Sequence, residues 1–373
     1  MKTRARIPIA KPLITDEDKR RVMEVLDSGR LVAGPRVRAF EEAFAEYLGV
    51  RHAVATSSGT TALQVALEAL SIGPGDKVIT TPFTFVATSN AILHAGARPV
   101  FVDVDPATYT LDPNQVEEAV RRERVRAILC VHLYGLPAHL DALEAIATRH
   151  GVLLIEDAAQ AHGAAAGSRR AGTVGAAAIF SFYPSKNMTT GEGGMLVTGD
   201  AAAAHRSAVL VNVGQNGSDE YLYERIGYNY RMTEIAAALG MGQLERLDHH
   251  NAARRRNAAA LSAALAGLDW LRPPVEPAGH HHVYNQYTVR VLGDRDGLAR
   301  HLNAQGIGTR VYYPHLIPLS PAYRQLGFSG QYPQAEKLTR QVLSLPVHPG
   351  LATDDLAWII ESVTRFPRDG GRS

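Results

Sequence analysis

Residues 125–157 read VRAILCVHLYGLPAHLDALEAIATRHGVLLIED and contain two apolar runs separated by a helical pattern. The runs 125–133 and 151–157 are almost continuously apolar, which is typical of strands covered on both faces. Between them, Leu140, Leu143 and Ala147 fall on one helical stripe, and Gly151 follows as a residue that commonly ends helices. The stretch therefore predicts a strand–helix–strand unit of a parallel sheet.

The same alternation extends from about residue 50 to residue 200. Four further apolar runs are each predicted to form a strand: HAVAT (52–56), KVITT (77–81), RPVFVDV (98–104) and AAAIFSF (176–182). The segment TALQVALEAL (61–70) is a predicted amphipathic helix. Strands that alternate with helices predict an α/β fold in which helices cover both faces of a mainly parallel sheet.

The sequence changes character after a long predicted helix from Leu244 to Leu265. Beyond this connector, YNQYTVRV (284–291) predicts a strand and GLARHLNAQGI (297–307) a helix. We therefore predict a large α/β domain over residues 1–249 and a smaller C-terminal α+β domain over residues 250–373. The first 30 or so residues could also pack with the small domain.

Composition excludes several classes of protein. The chain has 373 residues, of which 39 are basic and 37 acidic, so its formal net charge is only +2. This balance gives no reason to expect a nucleic-acid partner or an anionic membrane surface. No apolar run is long enough to span a bilayer, and no secretion signal is recognised, so we expect a cytoplasmic protein. The single cysteine, Cys130, lies in an apolar run and is expected to be buried.

Three sets of polar residues follow predicted strands, where ligands bind in open parallel sheets. The first set, Ser57-Ser58-Gly59-Thr60, leads directly into the helix at 61–70. Glycine permits close approach of a ligand, and the hydroxyls together with the free N–H groups of a helix start can hold an anion such as phosphate. Alternatively, these residues form an ordinary helix N-cap.

The second set is centred on Asp157, which ends the apolar run LLIED. A carboxylate in this position is partly desolvated and needs a cationic or N–H partner to remain ionised. A protonated ring nitrogen of a ligand would serve. A structural hydrogen bond to a loop N–H group, or a helix N-cap, is the alternative.

The third candidate is Lys186, in FSFYPSKNMTTGEGG (180–194), between an apolar run and a glycine-rich loop. A desolvated lysine binds its proton less tightly and can act as a nucleophile that forms a Schiff base. The alternative is an exposed loop lysine. Considered together, an anion site, a carboxylate and a lysine at three strand ends match the needs of pyridoxal 5′-phosphate: phosphate binding, protonation of the pyridine nitrogen and an imine.

The chain resembles the DegT/DnrJ/StrS family of pyridoxal-phosphate-dependent, fold-type-I sugar aminotransferases. Nine segments spread over nearly the whole chain carry the resemblance: AGPRVRAFEEAFAEYLGVRHAV, SSGTTALQVALEALSIGPGDKVI, PFTFVATSNAILHAGARPVFVDVD, VHLYGLPAHLDALEAIA, IEDAAQAHGA, FSFYPSKN, GEGGMLVT, GYNYRMTEIAAALG and VLSLPVHPG. The resemblance implies an aspartate-aminotransferase-like fold, with a large domain built on a mostly parallel sheet and a smaller α+β domain.

The resemblance also implies roles for individual residues. Lys186 would form the Schiff base and act as the catalytic residue, Asp157 would pair with the pyridinium, and Gln160 would face the phenolic oxygen. The phosphate would be bound by Ser58, Gly59, Thr60 and Ser181, with Asn229 from the neighbouring subunit. Phe85 would stack on the ring, although a phenylalanine is more often part of a core.

Four residues would bind substrates according to the resemblance, namely Arg231, for the carboxylate of the amino donor, and Arg310, Tyr313 and His315, for the sugar nucleotide. Ordinary packing is the alternative for the last three. Without the resemblance, Asn229 would be interpreted as a turn residue and Arg231 as part of a surface ion pair.

The implied reaction moves an amino group from L-glutamate, or L-glutamine, to a keto-sugar nucleotide, with pyridoxamine phosphate as the intermediate form of the cofactor. The implied assembly is a homodimer with shared active sites. Because lysine rather than histidine stands at position 186, transamination rather than dehydration is expected. The alternatives are a cyclitol aminotransferase and a protein that binds the cofactor without transaminase activity.

Other cofactors find no support in the sequence. No G-x-G-x-x-G follows a strand and no G-K-[ST] is present, which argues against a nicotinamide dinucleotide site and a P-loop. The histidine runs at 249–250 and 280–282 lack the ligand spacing of a metal site, so no metal is expected and the second run is interpreted as loop.

Overall fold

The computed structural model describes residues 6–217 and 221–367, and a seven-stranded sheet lies at its centre. The strands are β1 (His52–Thr56), β2 (Lys77–Thr80), β3 (Arg98–Phe101), β4 (Ala127–Val131), β5 (Leu153–Asp157), β6 (Ala165–Ala166), β7 (Arg169–Arg170), β8 (Ala177–Ser181), β9 (Gly194–Thr198), β10 (Leu271–Arg272), β11 (His280–His281), β12 (Tyr287–Val291) and β13 (Val342–Leu345). The α-helices are α1 (Asp16–Ser28), α2 (Pro35–Leu48), α3 (Gly59–Ala69), α4 (Ala87–His94), α5 (Pro113–Arg122), α6 (Leu140–His150), α7 (Ala201–Val211), α8 (Glu234–Glu245), α9 (Leu247–Leu265), α10 (Arg295–Ala304), α11 (Pro321–Gln325), α12 (Pro333–Gln341) and α13 (Thr353–Thr364).

The central sheet has the strand order β1-β9-β8-β5-β4-β2-β3. Strands β8, β5, β4, β2 and β3 run parallel to one another, whereas β9 is antiparallel to both of its neighbours, β1 and β8. Each apolar run that the sequence predicts to be a strand contains one. The prediction of a mainly parallel sheet is therefore confirmed.

Strand β9 and the predicted connector helix both differ from the sequence predictions. Strand β9, GMLVT, was not predicted because it follows a glycine-rich loop and gains its partners from strands far away in the sequence. The predicted helix from Leu244 to Leu265 is two helices, since Arg246 leaves the helical conformation between α8 and α9. At this break the guanidinium of Arg246 donates hydrogen bonds of 2.7 and 2.6 Å to the buried carboxylate of Asp18.

Helices cover both faces of the central sheet. Apolar residues of α3, α4 and α7 pack on one face, where Leu129 and Ile155 point. On the other face, α2 and α8 pack over β8 and β9, while α5 and α6 pack over β4 and β5 around Ile128 and Leu154. Alternate residues of β4 and β5 thus point into different layers, as the pleat of a strand requires.

A second core lies around the three-stranded sheet β10-β12-β13, which α9, α10 and α13 cover. It also contains Ile7, whose backbone pairs with residues 306–308. Helix α9 contributes Leu247 to a core of the large sheet and Leu261 to this second core. Because the helix belongs to both, the domain boundary between residues 249 and 250 stays a proposal.

The histidine run at 280–282 is not loop throughout. His280 and His281 form β11, which pairs with β6, and a two-residue strand of this kind leaves no pattern in a sequence. Among the described residues, no group of three or more histidine, cysteine, aspartate or glutamate side chains is arranged to hold a metal ion. No helix within the described ranges is both long enough and apolar enough to cross a bilayer.

Candidate active site

The carboxyl ends of β1 and β8 meet at the start of helix α3. Ser181 ends β8 and Gly59 begins α3. A Cβ atom added to Gly59 would lie 2.7 Å from Cβ of Ser181 and 3.0 Å from its Oγ. Only a residue without a side chain allows this approach, so the glycine brings the hydroxyl of Ser181 to the first turn of the helix.

Ser58 is the N-cap residue of α3. Its Oγ accepts a hydrogen bond of 3.2 Å from the N–H of Thr61, and Oγ1 of Thr61 accepts one of 3.0 Å from the N–H of Ser58. The N–H groups of Gly59 and Thr60 belong to a first turn, which has no partners within its own helix. We call Ser58, Gly59, Thr60 and Ser181 the anion cradle, because free N–H groups at a helix start favour a negative charge.

Asp157 ends β5 and is 4% exposed. Its Oδ2 accepts a hydrogen bond of 2.7 Å from Oγ1 of Thr88 in α4, and its Oδ1 accepts one of 3.2 Å from the N–H of Ala159. Burial raises the pKa of Asp157, while these hydrogen bonds and the charge of Lys186 act in the opposite direction. The structural bond considered for Asp157 is therefore present. Thr88 was missed because its contact joins positions 69 residues apart.

Glu156, one residue earlier, points to the other face of the sheet. Its fully buried carboxylate accepts hydrogen bonds from Nε2 of His132 at 2.8 Å and from the N–H groups of Gly172, Val174 and Gly175, each at 2.7 Å. Burial alone would raise the pKa of Glu156, but these donors, His132 first, lower it. Strand β5 is thereby held in place from the face opposite Asp157.

Lys186 lies in the turn after β8, where its N–H donates to the C=O of Tyr183. Burial lowers the pKa of Lys186 to about 8, against the opposing effect of the Asp157 carboxylate. Among residues 6–217 and 221–367, no hydrogen bond or ion pair involves its ammonium group. The amine and the carboxylate therefore influence each other's protonation without a hydrogen bond between them. Because Lys186 is only partly exposed, it is not an ordinary exposed loop lysine.

Gln160 and Tyr313 are joined by a hydrogen bond near Asp157. Oε1 of Gln160 accepts a hydrogen bond of 2.6 Å from the N–H of Tyr134, and its Nε2 donates to the hydroxyl of Tyr313 at 3.2 Å. The ring of Phe85 lies 6.4 Å from that of Tyr313 and is 55% exposed, whereas Phe83 is fully buried. The core interpretation of Phe85 is thus wrong, and Phe83 fills the core instead.

The remaining predicted residues are Asn229, Arg231, Arg310 and His315. Asn229 is exposed, and the C=O of the next residue, Tyr230, accepts a 2.7 Å hydrogen bond from the N–H of Ser57 beside the anion cradle. Nη1 of Arg231 donates to Oδ1 of Asn212 at 3.1 Å. Arg310 and His315 are exposed on the segment that carries Tyr313. Within the described ranges, no hydrogen bond joins these residues to Lys186 or Asp157.

The model of the DegT/DnrJ/EryC1/StrS aminotransferase family matches residues 12–364 of the chain. The chain belongs to this family. The expected family and the expected enzyme class, an aminotransferase, are therefore confirmed.

Known members of the aminotransferase family are similar to this chain over nearly their whole length. The dTDP-3-amino-3,4,6-trideoxy-alpha-D-glucose transaminase of Streptomyces venezuelae is 44% identical to this chain over 347 residues, which cover 92% of this chain and 90% of that protein.

Solved structures extend this similarity to the fold. The crystal structure of S. venezuelae DesV in complex with a ketimine intermediate has a TM-score of 0.92 and 42% identity, covering 96% of this chain and 98% of DesV. The PLP form of Spr1654, a putative sugar aminotransferase from Streptococcus pneumoniae, has a TM-score of 0.91 and 28% identity, covering 96% and 97%. The predicted fold type I is confirmed.

Proposed function

We propose that this aminotransferase moves an amino group from L-glutamate or L-glutamine to a keto-sugar nucleotide, with pyridoxal 5′-phosphate held at Lys186. The observation that carries the proposal is the electrostatic interaction between the Lys186 amine and the buried Asp157 carboxylate, together with the close approach of Gly59 to Ser181. Within the described ranges no hydrogen bond or ion pair joins this amine to the carboxylate, and the start of α3 offers N–H groups beside the Ser181 hydroxyl. The similarity to the S. venezuelae dTDP-sugar transaminase supports the substrate class.

The residues present fit this cofactor at three separate points. Lys186 supplies the amine for a covalent bond to the aldehyde carbon. Asp157 supplies a buried carboxylate that a protonated ring nitrogen would neutralise, which would offset the desolvation that raises its pKa. The close contact of Gly59 with Ser181 leaves the first turn of α3 open to the phosphate.

When bound, the cofactor supplies a ring system that accepts the electron pair released from the substrate carbon. Lys186 would remove and return protons at Nζ, and a pKa of about 8 makes its neutral amine accessible close to neutral pH. Asp157 would keep a proton on the ring nitrogen. Gln160, fixed by Tyr134 and Tyr313, would orient the opposite edge of the ring.

Phe85 would cover one face of the ring. A phenylalanine that is 55% exposed leaves apolar area in water, and this area would be buried against a flat ligand. Arg231 would bind the carboxylate of the amino donor, and Arg310, Tyr313 and His315 would contact the sugar nucleotide. Charged and aromatic side chains of this kind suit phosphate groups and sugar rings.

We also propose a homodimer in which Asn229 completes the anion cradle of the partner. Large apolar side chains are exposed on the segment that precedes Asn229, namely Tyr221, Leu222, Tyr223 and Ile226. Tyr183, close to Lys186, and Phe85 are also more than half exposed. A second copy of the chain that covers these side chains would bring residues of both subunits to one site.

Two variants test the proposed chemistry. The purified protein should absorb as a cofactor–lysine adduct, and glutamate should remove that absorbance with release of 2-oxoglutarate. Lys186→Ala should abolish both signals, and Asp157→Asn should bind the cofactor but slow the reaction with glutamate by about 100-fold or more, as losses of preorganised charge do. Persistence of the adduct in Lys186→Ala would refute the assignment.

Product analysis tests the acceptor. Incubation with glutamate and a panel of dTDP-, UDP- and GDP-linked keto-sugars, followed by mass spectrometry, should yield an aminated sugar nucleotide. Amination of a keto-cyclitol alone would favour the cyclitol alternative. A bound cofactor that never reacts with glutamate or glutamine would favour a binding protein.

A further inference from the structure

A group of buried asparagines lies beside Lys186 and has no part in the function described so far. Asn187 follows the lysine, Asn251 lies in α9, and Asn285 precedes β12. Their exposed fractions are 3%, 3% and 4%. Buried amides need hydrogen-bond partners, so the contacts of these side chains are informative.

The three amides are linked in series. Nδ2 of Asn285 donates to Oδ1 of Asn187 at 2.9 Å, and Nδ2 of Asn187 donates to Oδ1 of Asn251 at 2.6 Å. Asn285 also donates to the C=O of Ser185 at 3.1 Å. The residues on either side of Lys186 are therefore both held by this series, which we call the amide chain.

The amide chain continues to the loop that follows Asp157. Nδ2 of Asn251 donates a 2.8 Å hydrogen bond to the C=O of His162. One side chain thus joins the turn that carries Lys186 to the loop after β5. These two segments adjoin Lys186 and Asp157, which are proposed to bind opposite ends of the same cofactor.

Helix α9 anchors both ends of the amide chain. Arg254, one turn after Asn251, donates from Nη1 to the C=O groups of Tyr284 and Asn285, each at 3.2 Å. Arg254 is 5% exposed, and no carboxylate among the described residues pairs with it; burial lowers its pKa to about 10. The cation holds the backbone of Asn285. Hydrogen bonds and the backbone of α9 therefore connect Asn251, Asn187, Asn285 and Arg254 in a ring.

We propose that Asn187, Asn251 and Asn285 are positioning residues that fix the amine of Lys186 relative to Asp157. The inference rests on the proposed cofactor site and adds to that site the residues that hold Lys186 in place. Amides suit this task because each offers donors and an acceptor without a charge that would alter the protonation of Lys186. A misplacement of about 1 Å at a reacting atom can lower a rate by about 100-fold.

The test compares two forms of the cofactor on the cofactor-free protein. Pyridoxal 5′-phosphate uses Lys186, whereas pyridoxamine 5′-phosphate has no aldehyde and depends on the other contacts. Asn187→Ala should weaken binding of pyridoxal phosphate by about tenfold or more relative to pyridoxamine phosphate. A purely structural defect would weaken both forms equally and leave the ratio of the two Kd values unchanged.

Asn257→Ala is the matched control. Asn257 lies on the same helix and donates to the C=O groups of Val347 and His348, away from Lys186. The ratio of Kd values should stay at the wild-type value in this control. If Asn187→Ala does not fold, Asn285→Ala takes its place as the test variant, because it removes the hydrogen bond to the C=O of Ser185.

The outcomes separate the two proposals. Wild-type protein with no affinity for either form would contradict the proposed cofactor. Wild-type protein that prefers pyridoxal phosphate, together with an unchanged ratio in Asn187→Ala and Asn285→Ala, would overturn the positioning role alone. Combining Asn187→Ala with Asn251→Ala should change the ratio by less than the sum of the two single effects, because each substitution breaks the shared hydrogen bond between Asn187 and Asn251.

Discussion

Replacing Lys186 with methionine should stabilise the cofactor-free protein at neutral pH. Methionine keeps most of the apolar stem and removes a charge that is costly in this environment. Lowering the pKa of Lys186 from 10.5 to about 8 corresponds to about 3 kcal/mol at ~1.4 kcal/mol per pH unit. The folded protein with lysine bears this cost as long as the amine is protonated.

The advantage of the variant should depend on pH in a defined window. Below about pH 8 the amine is protonated in the folded and unfolded chains, and the full cost of about 3 kcal/mol applies. Between pH 8 and 10.5 the unfolded chain binds more protons than the folded chain, so the wild type gains stability as the pH rises. Less than half of the advantage should remain at about pH 9.5.

Urea unfolding of both cofactor-free proteins at pH 7, 8.5 and 9.5, followed by fluorescence, measures this difference. Lys337→Met, at an exposed position in α12, is the control and should change the free energy of unfolding by no more than about 0.5 kcal/mol at each pH. The reasoning would be refuted by a Lys186→Met protein that is no more stable than wild type at pH 7. An advantage that does not shrink by pH 9.5 would refute it equally.

Three further predictions concern the cradle, the support of β5 and the dimer. Gly59→Ala should weaken binding of pyridoxamine phosphate by about tenfold in a fluorescence titration, because its Cβ would lie 2.7 Å from that of Ser181 and overpacking costs about 1–3 kcal/mol. Glu156→Gln should lower the free energy of unfolding by about 3–5 kcal/mol, since an amide cannot accept from all four donors. The difference in free energy of unfolding between wild type and Glu156→Gln should become smaller as the pH falls below 4.5. The folded-state pKa of Glu156 is lowered, so protonation of its carboxylate in that pH range removes the stabilisation that wild type has. Mixing inactive Lys186→Ala and Asn229→Asp subunits should restore about a quarter of wild-type activity, because half of the dimers are hybrids and each has one intact site.

Control variants are available for the first two of these experiments, and each experiment has a result that would contradict it. Gly267→Ala adds a methyl group where nothing lies within 4 Å and should bind pyridoxamine phosphate as wild type does. Glu118→Gln, at an exposed helix position, should leave stability nearly unchanged. Unaltered affinity in Gly59→Ala, unaltered stability in Glu156→Gln, or no recovery in the subunit mixture would each contradict the corresponding interpretation.

The sequence predicted the large sheet and singled out Lys186 and Asp157 because both leave local patterns. Lys186 and Asp157 each follow an apolar run, and in a parallel sheet the ends of such runs meet at one edge. The identity of each run as a strand therefore placed two distant residues together before any contact was known. Gly59 was recognised for the same reason, although its contact with Ser181 required the register of β1, β9 and β8.

The features that the sequence did not predict depend on contacts between distant positions. Thr88 is an ordinary residue of a short helix until β5 brings Asp157 beside it. The amide chain is assembled from three segments, and an isolated asparagine in a sequence is more typical of a turn or a surface. The hydrogen bond between Arg246, at the break between α8 and α9, and Asp18 joins positions 228 residues apart. Local periodicity carries no information about such pairs.

The pairing of Ile7 with residues 306–308 has a consequence for synthesis of the chain. The N-terminal segment leaves the ribosome about 300 residues before its partner, and at roughly 5–20 residues per second this interval lasts roughly 15–60 s. During that time Ile7, which is 4% exposed in the finished protein, has no permanent place to pack. Completion of the second core is therefore a late event that waits for synthesis of residues 306–308.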